Sequence, residues 1–572
     1  MKKYPEKNDD ISIVLCGAAG QGVQTVEQLL TQLFKRSGYN LYSTKEYMSR
    51  VRGGSNSTEL RVSSRRVQAY LDRIDILFPL NREAMKHVAH RITQDTIILG
   101  EKENLLSPDD PETAMIDIPL SHIASEIGGD IYANIIATGV IAALFDIDRG
   151  SIIDDLNRRF AAKGDELIAN NIRAIEQGYE IGHGLINSGT VTISMKKSPD
   201  IADDIIISGG EAVAMGAIAG GCNFISSYPM TPSTAVLTFL AQQSKAFDII
   251  AEQAEDEIAA MNMAIGAWYA GARGMVTTSG GGFALMTEGL SLAGMMESPM
   301  VIHLAQRPGP ATGLPTRTEQ GDLELALYAG HGEFPRIILA PGTLKQAFEL
   351  TAKAFNLADK YQVPVFILTD QYFIDSYYNI PRIDVSEYNI ERHIVPTQKD
   401  YMRYVLTENG ISPRGIPGHG EGMVVVDSDE HDEAGHLTED HRVRNSMVDK
   451  RLGKAVLLEQ DAVLPRLEGK NDCKAMIVCW GSTFTIASEA VRRIGRDDIS
   501  LLHFSQVFPL HPRTAEILQR PDRLVIVENN ATSQFSRVLK IHADIDIKRK
   551  VNKYSGLAFS VEELENRLRD LL

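Results

Sequence analysis

The chain has 572 residues, too many for one hydrophobic core, so several domains are expected. It is 44% hydrophobic and 23% charged, an ordinary balance for a globular protein, and its net charge of −17 argues against a general nucleic-acid binder, which would be basic. The four cysteines (Cys16, Cys222, Cys473, Cys479) contain no C-x-x-C pair and are too few and scattered for an iron–sulfur cluster, a structural zinc or a disulfide framework, so a reducing, cytoplasmic setting is expected.

The opening MKKYPEKNDD is polar, and no apolar run reaches membrane-spanning length, so no membrane contact is expected. Residues 1–190 read as a first α/β domain. ISIVLCG is a buried strand, GAAGQGV a glycine turn and QTVEQLLTQLFKRSG an amphipathic helix ending at Gly38. STELRVSS, DILFPL and DTIILG follow as strands between helical stretches, as a mostly parallel sheet requires. SGTVTISMKKSPD reads as the exit and linker. The glycines run G-x-x-G-x-G, a weak match to the dinucleotide pattern G-x-G-x-x-G. A nucleotide-dependent dehydrogenase is therefore a poor but open alternative. Lys45, Arg50 and Arg52 make a local basic cluster, either a solvated face or an anion contact.

A second α/β domain is expected over residues 195–390. Its strand candidates are DIIIS, NFISS, RGMVTTSGG, PMVIHLA, PRIILAP and VPVFILTD. The helices between them, EAVAMGAIAGG and EIAAMNMAIGAWYAGA, are dense in alanine and glycine, which suggests close packing against another surface. Within this domain SSYPMTPST joins a short strand to a helix. Proline is favoured at the first helical position, so Pro232 is expected there with Thr231 as the N-cap, and the corner would suit an anion. Residues 391–465 lose periodicity and read as a connector with some local structure. Its stretch HDEAGHLTEDH, from His431 to His441, has no metal-site spacing, and no metal site is assigned. Residues 466–572 form a third α/β domain: strand KAMIVCWGS, helix TFTIASEAVRRIG, strands ISLLHFSQV and DRLVIVENN.

The informative stretch is EQAEDEIAAMNMAIGAWYAGARGMVTTSGGG, residues 252–282. A carboxylate opens a helix of small residues, and a strand then ends in serine and three glycines. From the residues alone Glu257 could simply interact with the helix dipole, as could Glu255 or Asp256. The pattern resembles the pyrimidine-binding domain of thiamine-diphosphate enzymes, with Glu257, Ala259, Ala260, Ala264 and Gly266 on the helix and Thr278, Ser279, Gly280 and Gly282 at the strand end. Gly281 stands where proline is usual. The resemblance implies that Glu257 is catalytic, hydrogen-bonding the aminopyrimidine of the cofactor, and that Ser279, Gly280 and Gly282 line its site.

With YPMTP (Tyr228–Pro232), Arg307 after PMVIHLAQ, and TRTEQGDL (Thr316–Leu323), the sequence resembles the 2-oxoacid:ferredoxin oxidoreductases. That implies a γ-type domain fused ahead of an α part, followed by a transketolase C-terminal-like domain of chiefly architectural role around VENNATSQF. Tyr228, Thr231 and Arg307 would bind the 2-oxoacid, and Lys45, Arg50 and Arg52 could meet coenzyme A. No GDG motif occurs in the sequence. The resemblance therefore implies a partner β subunit bringing GDG, Mg²⁺ and a [4Fe–4S] cluster, thiamine diphosphate at their interface, ferredoxin as acceptor and a dimer of heterodimers. The implied reaction is the CoA-dependent oxidative decarboxylation of a 2-oxoacid, most closely 2-oxoglutarate to succinyl-CoA, or its reverse. Branched-chain or broad specificity is the alternative, and a non-catalytic scaffold of the same fold is another.

Overall fold

A computed structural model describes residues 3–18, 23–46, 55–102, 115–160 and 164–572. Arg50, Arg52 and residues 19–22 of the glycine turn lie outside the described residues. The chain is α/β throughout and forms two compact units. One comprises Met1–Ile207 with Ser376–Arg382 and Ser560–Glu562, the other Ser208–Asp375, Ile383–Phe559 and Glu563–Leu572. Among the described residues no single helix is long and apolar enough to cross a membrane.

The first unit is built on an eight-stranded sheet in the order Met115–Asp117, Ile97–Gly100, Ile76–Pro79, Asp10–Ala18, Ser55–Ser63, Asn40–Glu46, Tyr377–Ile380, Ile205–Ser208. Side chains alternate across the Asp10–Ala18 strand. Ile11, Ile13 and Leu15 face the helix Val23–Arg36 through Leu29 and Leu33. Val14 and Cys16 face the other way, with Leu77 and Ile98. Two expectations are corrected. The sheet is mixed rather than mostly parallel: Asp10–Ala18 runs parallel to Ile76–Pro79 but antiparallel to Ser55–Ser63, which is antiparallel to Asn40–Glu46 in turn. The strand Ile205–Ser208, expected to open the second domain, instead lies at the edge of this first sheet. Both depend on which strand pairs with which, and a local apolar run does not encode that choice.

The second unit holds two sheets. The seven-stranded one has the order Ile250–Gln253, Phe224–Ser227, Gly274–Thr278, Met300–Gln306, Pro364–Asp370, Ile337–Leu339, Gln506–Phe508. All its pairs are parallel except the last. Buried on both faces, its central strands are near-continuous apolar runs such as MVIHLAQ and PVFILTD. The five-stranded sheet has the order Arg466–Glu468, Ile499–Phe504, Ala475–Trp480, Arg523–Glu528, Arg549–Asn552. ISLLHFSQV is thus two strands rather than one. Ile499–Phe504 stays in the small sheet, while Gln506–Phe508 crosses to the edge of the large one.

Small residues on the helix Gly209–Ala219 serve packing within the chain, since a Cβ on Gly216 would lie 2.4 Å from the Phe348 carbonyl oxygen of the helix Leu344–Tyr361. The connector contains a twenty-residue helix, His441–Gln460, capped by Asp440, whose carboxylate accepts from the amides of Arg442 and Val443. Its buried positions are Met447, Lys450, Arg451, Lys454 and Leu458.

Candidate functional site

Three neighbouring parallel strands of the large sheet, Phe224–Ser227, Gly274–Thr278 and Met300–Gln306, end side by side. The residues that follow them are Tyr228, Ser279 and Arg307. Side-chain hydrogen bonds under this edge fix the strands. Ser226 donates to the Ala260 carbonyl and Ser227 to the Thr277 carbonyl, both at 2.6 Å. His303 bridges Thr277 at 2.7 Å and Thr369 at 2.9 Å, and burial pushes its pKa down to about 3, so the ring is neutral. In an open parallel α/β sheet, this carboxyl edge is where ligands bind.

The helix Glu257–Tyr269 starts at this edge. Asp256 caps it, accepting from the Ala259 amide at 2.8 Å, so the dipole is already served by the neighbour of Glu257. Glu257 itself is 4% exposed, and its Oε1 has no hydrogen-bond partner. It lies over Gly282, where a Cβ would stand 2.6 Å from Glu257 Oε1 and 2.3 Å from Thr278 Oγ1. Ser279 precedes the helix Gly280–Met295 without capping it, and its buried Oγ is also unpartnered. Gly281 stands inside the first turn of that helix, with nothing nearer to a Cβ than the Ala311 carbonyl oxygen at 3.7 Å. Gly281→Ala is therefore expected to stabilise the chain by about 0.4–1 kcal/mol, read as a higher melting temperature, because it removes freedom only from the unfolded state.

The YPMTP corner differs from expectation. The helix begins at Thr234, neither Pro232 nor Thr231 belongs to its first turn, and Thr231 does not cap it. Residues 230–233 form a turn of their own, closed by the Ser233 hydroxyl donating to the Met230 carbonyl at 2.7 Å. The Thr231 carbonyl accepts from Arg307 Nη1, also at 2.7 Å, while its side chain is exposed. Tyr228 is 41% exposed beside it.

Arg307 keeps Nε without a partner. Burial lowers its pKa, and Asp322 opposes that shift. Sequence reasoning gave Asp322 no role. Its amide donates to Gln306 Oε1 at 2.9 Å, and both of its carboxylate oxygens would lie 2.4 Å from a Cβ on Gly280. Burial, with Glu319 adding to it and Arg307 opposing, pushes the Asp322 pKa up to about 7. The Thr316–Leu323 segment that carries it is held by the small sheet. Gln320 exchanges two hydrogen bonds with the Asn529 backbone, at 2.7 and 2.9 Å, and donates through Nε2 to the Trp480 carbonyl. The VENN stretch thus supports the site edge from outside it.

Glu257, Ser279, Gly280, Gly282, Arg307 and Thr231 therefore converge in one unit, and four of their neighbourhood's buried polar atoms (Glu257 Oε1, Ser279 Oγ, Arg307 Nε, Asp322 Oδ2) lack partners. Such atoms are costly unless a ligand satisfies them. Lys45, in the other unit, pairs with the buried Glu27 at 2.9 Å. His431 is buried against the Tyr404 ring and His436 is exposed; among the described residues no group of three or more His, Cys, Asp or Glu side chains is placed to hold a metal ion.

Residues 12–181 match the family described as pyruvate ferredoxin/flavodoxin oxidoreductase, and residues 215–450 its thiamine-diphosphate-binding counterpart, pyruvate flavodoxin/ferredoxin oxidoreductase. The 2-oxoacid:ferredoxin oxidoreductase subunit alpha of a Sulfolobus species is 30% identical over 98% of this chain and 96% of its own. The chain belongs to the 2-oxoacid:ferredoxin oxidoreductase family. Other members show the same likeness. The 2-oxoglutarate synthase subunit KorA of Methanothermobacter thermautotrophicus is 30% identical, over 64% of this chain and 99% of its own. The solved 2-oxoglutarate:ferredoxin oxidoreductase from Magnetococcus marinus, with 2-oxoglutarate, coenzyme A and succinyl-CoA bound, superposes with a TM-score of 0.92 at 30% identity, covering 98% of this chain and 99% of that one. This family member is thus an oxidoreductase subunit carrying a thiamine-diphosphate-binding domain.

Proposed function

We propose that the chain is the α subunit of a 2-oxoglutarate:ferredoxin oxidoreductase. The reaction joins a 2-oxoacid and coenzyme A to give the acyl-CoA, CO₂, a proton and two electrons that pass to ferredoxin, or runs in reverse. The observation that carries this reading is the group of four unpartnered buried polar atoms gathered around the carboxyl edge of the large sheet. The substrate choice is supported by the Magnetococcus and Methanothermobacter relatives.

The residues fit the pyrimidine half of thiamine diphosphate: an inward carboxylate with a free oxygen, over a glycine whose Cβ would fill the space. When bound, that cofactor supplies the carbanion-stabilising chemistry. Glu257 holds and returns a proton at Oε1, in a pocket closed to bulk water by its own burial. Arg307 clamps the 2-oxoacid carboxylate with a charge-assisted hydrogen bond, while the Thr231 carbonyl fixes the guanidinium. Tyr228 and the Thr231 hydroxyl line the open side.

A β subunit carrying GDG, Mg²⁺ and a [4Fe–4S] cluster completes the site. This chain's four cysteines are all buried and its sequence has no GDG. The two site helices present Ile258, Met263 and Leu285 to solvent, an apolar face suited to a partner. We further place two such heterodimers in the complex, its seat in the cytoplasm, and Lys45, Arg50 and Arg52 near coenzyme A.

The test is to purify the chain natively with whatever accompanies it, then assay 2-oxoacids with coenzyme A and a viologen dye. A GDG-containing companion chain, bound thiamine diphosphate, a broad iron–sulfur band and highest kcat/KM with 2-oxoglutarate are expected. A colourless lone chain without thiamine diphosphate overturns the reading, and preference for a branched-chain 2-oxoacid overturns the substrate.

A further inference from the structure

We propose that Asp322 is a positioning residue that controls how much of the Arg307 charge the substrate can use. Neutral, it leaves the guanidinium to the 2-oxoacid carboxylate; ionised, it competes with that carboxylate. The inference rests on Arg307 being the carboxylate clamp.

Geometry makes the coupling. Asp322 and Arg307 are the two ends of one short structural path, because the Asp322 amide is tied to Gln306, the residue before Arg307. Gln306 is anchored in turn to the Thr369 carbonyl at 3.0 Å. The Asp322 carboxylate is pressed against Gly280 at the start of a site helix, one of its oxygens is buried without a partner, and Arg307 Nε is likewise unpartnered. The charged groups facing Asp322 are Arg307, from the end of the strand Met300–Gln306, and Glu319, from its own segment. The first turn of the helix Gly280–Met295 is GGGF and brings no titratable side chain. Glu319 and burial both favour the neutral acid, and only Arg307 favours the anion. An arriving carboxylate neutralises that single favourable charge, so substrate binding and Asp322 ionisation oppose each other, and by linkage each weakens the other equally. This places the change in the working range, since the Asp322 carboxyl is pushed up to about 7 by its burial.

The experiment measures KM and kcat for 2-oxoglutarate in the purified complex between pH 6 and 8.5, with saturating coenzyme A and viologen, for the native complex and for Asp322→Asn. If only the neutral form leaves Arg307 free, native KM rises about tenfold from pH 6 to pH 8. The rise is expected in KM and is expected to vanish in Asp322→Asn, whose KM stays near the native low-pH value. A native KM that is flat over this range overturns the proposal without any variant, as does a rise that persists in Asp322→Asn. Should that variant fail to assemble, Gly280→Ala is the second probe. Its Cβ would meet both carboxylate oxygens at 2.4 Å and drive the group from its buried niche, moving the break to lower pH. An unmoved break overturns the proposal. Arg307→Ala separates the two layers: if it leaves KM unchanged, the clamp reading itself fails. If it raises KM tenfold or more while Asp322→Asn keeps the pH-dependent rise, only the present inference fails.

Discussion

Glu257→Gln is expected to lower kcat of the assembled complex by about 10²- to 10⁴-fold, the range lost when a positioned general acid–base group is removed. Glutamine keeps the length and shape of the side chain but does not exchange a proton near neutral pH. The native Oε1 makes no hydrogen bond among the described residues, so the substitution breaks no such contact of that atom and assembly is expected to survive. Gly282→Ala gives an independent check with the carboxylate chemically intact. Its Cβ would fall 2.6 Å from Glu257 Oε1 and 2.3 Å from Thr278 Oγ1, displacing the acid from its position. Both variants should therefore lose turnover by a comparable factor while co-purifying with the same partner and melting within a few degrees of the native complex. Single-turnover rates and the melting curve are the measurements. A Glu257→Gln complex within threefold of native kcat removes this residue from the proton path.

The site was legible in the sequence where chemistry and chain order coincide. Glu257, Ser279 and the glycines belong to one continuous stretch, and Tyr228, Ser279 and Arg307 each directly follow a short strand, of which MVIHLAQ before Arg307 is a near-continuous apolar run. Which of three consecutive acids turns inward was legible only through the family resemblance, which singled out Glu257; from the residues alone it stayed open until Asp256 was seen occupying the cap. Thr231 was misplaced because a proline before an apolar-periodic stretch reads as a helix start, whereas here residues 230–233 close a separate turn held by Arg307. Asp322 was invisible because its environment comes from Gly280, Gln306 and Arg307, on other strands and helices. The antiparallel half of the first sheet escaped notice for a related reason: NLYSTKE is too polar to announce a strand, yet its neighbours bury its first four residues. The helix His441–Gln460 was hidden because its buried stripe contains Lys450, Arg451 and Lys454. Their partners are Glu297 and Glu430. A periodicity search counts those cations as surface.

That charged stripe leads to the second large effect, which is on stability. Glu297→Gln is expected to destabilise the second unit by about 3–5 kcal/mol at pH 7, the usual result of leaving buried charge without its counter-ion. Glu297 follows the site helix Gly280–Met295 and is 1% exposed. Lys450 Nζ meets its Oε1 at 2.5 Å, Lys454 meets its Oε2, and Arg403 donates to its backbone carbonyl at 2.8 Å. Burial alone would raise the Glu297 carboxyl, but Lys454, Lys450 and Arg403 together hold it far below the usual carboxylate range. For the lysines the sign is opposite: burial brings Lys450 down from 10.5 to about 8, even with Glu297 resisting. A lysine whose pKa is lower in the folded than in the unfolded chain binds fewer protons when folded, so stability from this group grows as pH rises from about 8 towards 10.5. Without Glu297 the folded lysines lose their proton still more readily, and the deficit of the variant should narrow on the alkaline side. Thermal unfolding at pH 7 and at pH 9.5 reads both parts, a lower melting temperature at neutral pH and partial recovery at the higher one. Equal stability of native and variant at both pH values would mean that the two lysines are already neutral or hydrated in the folded chain. A lowered but pH-independent stability would leave packing, not charge, as the contribution of Glu297. In the first of those cases the anchor between the connector helix and the far end of the Gly280–Met295 helix, whose other end forms the site, would have to lie elsewhere; in the second it stays at Glu297 but is held by packing.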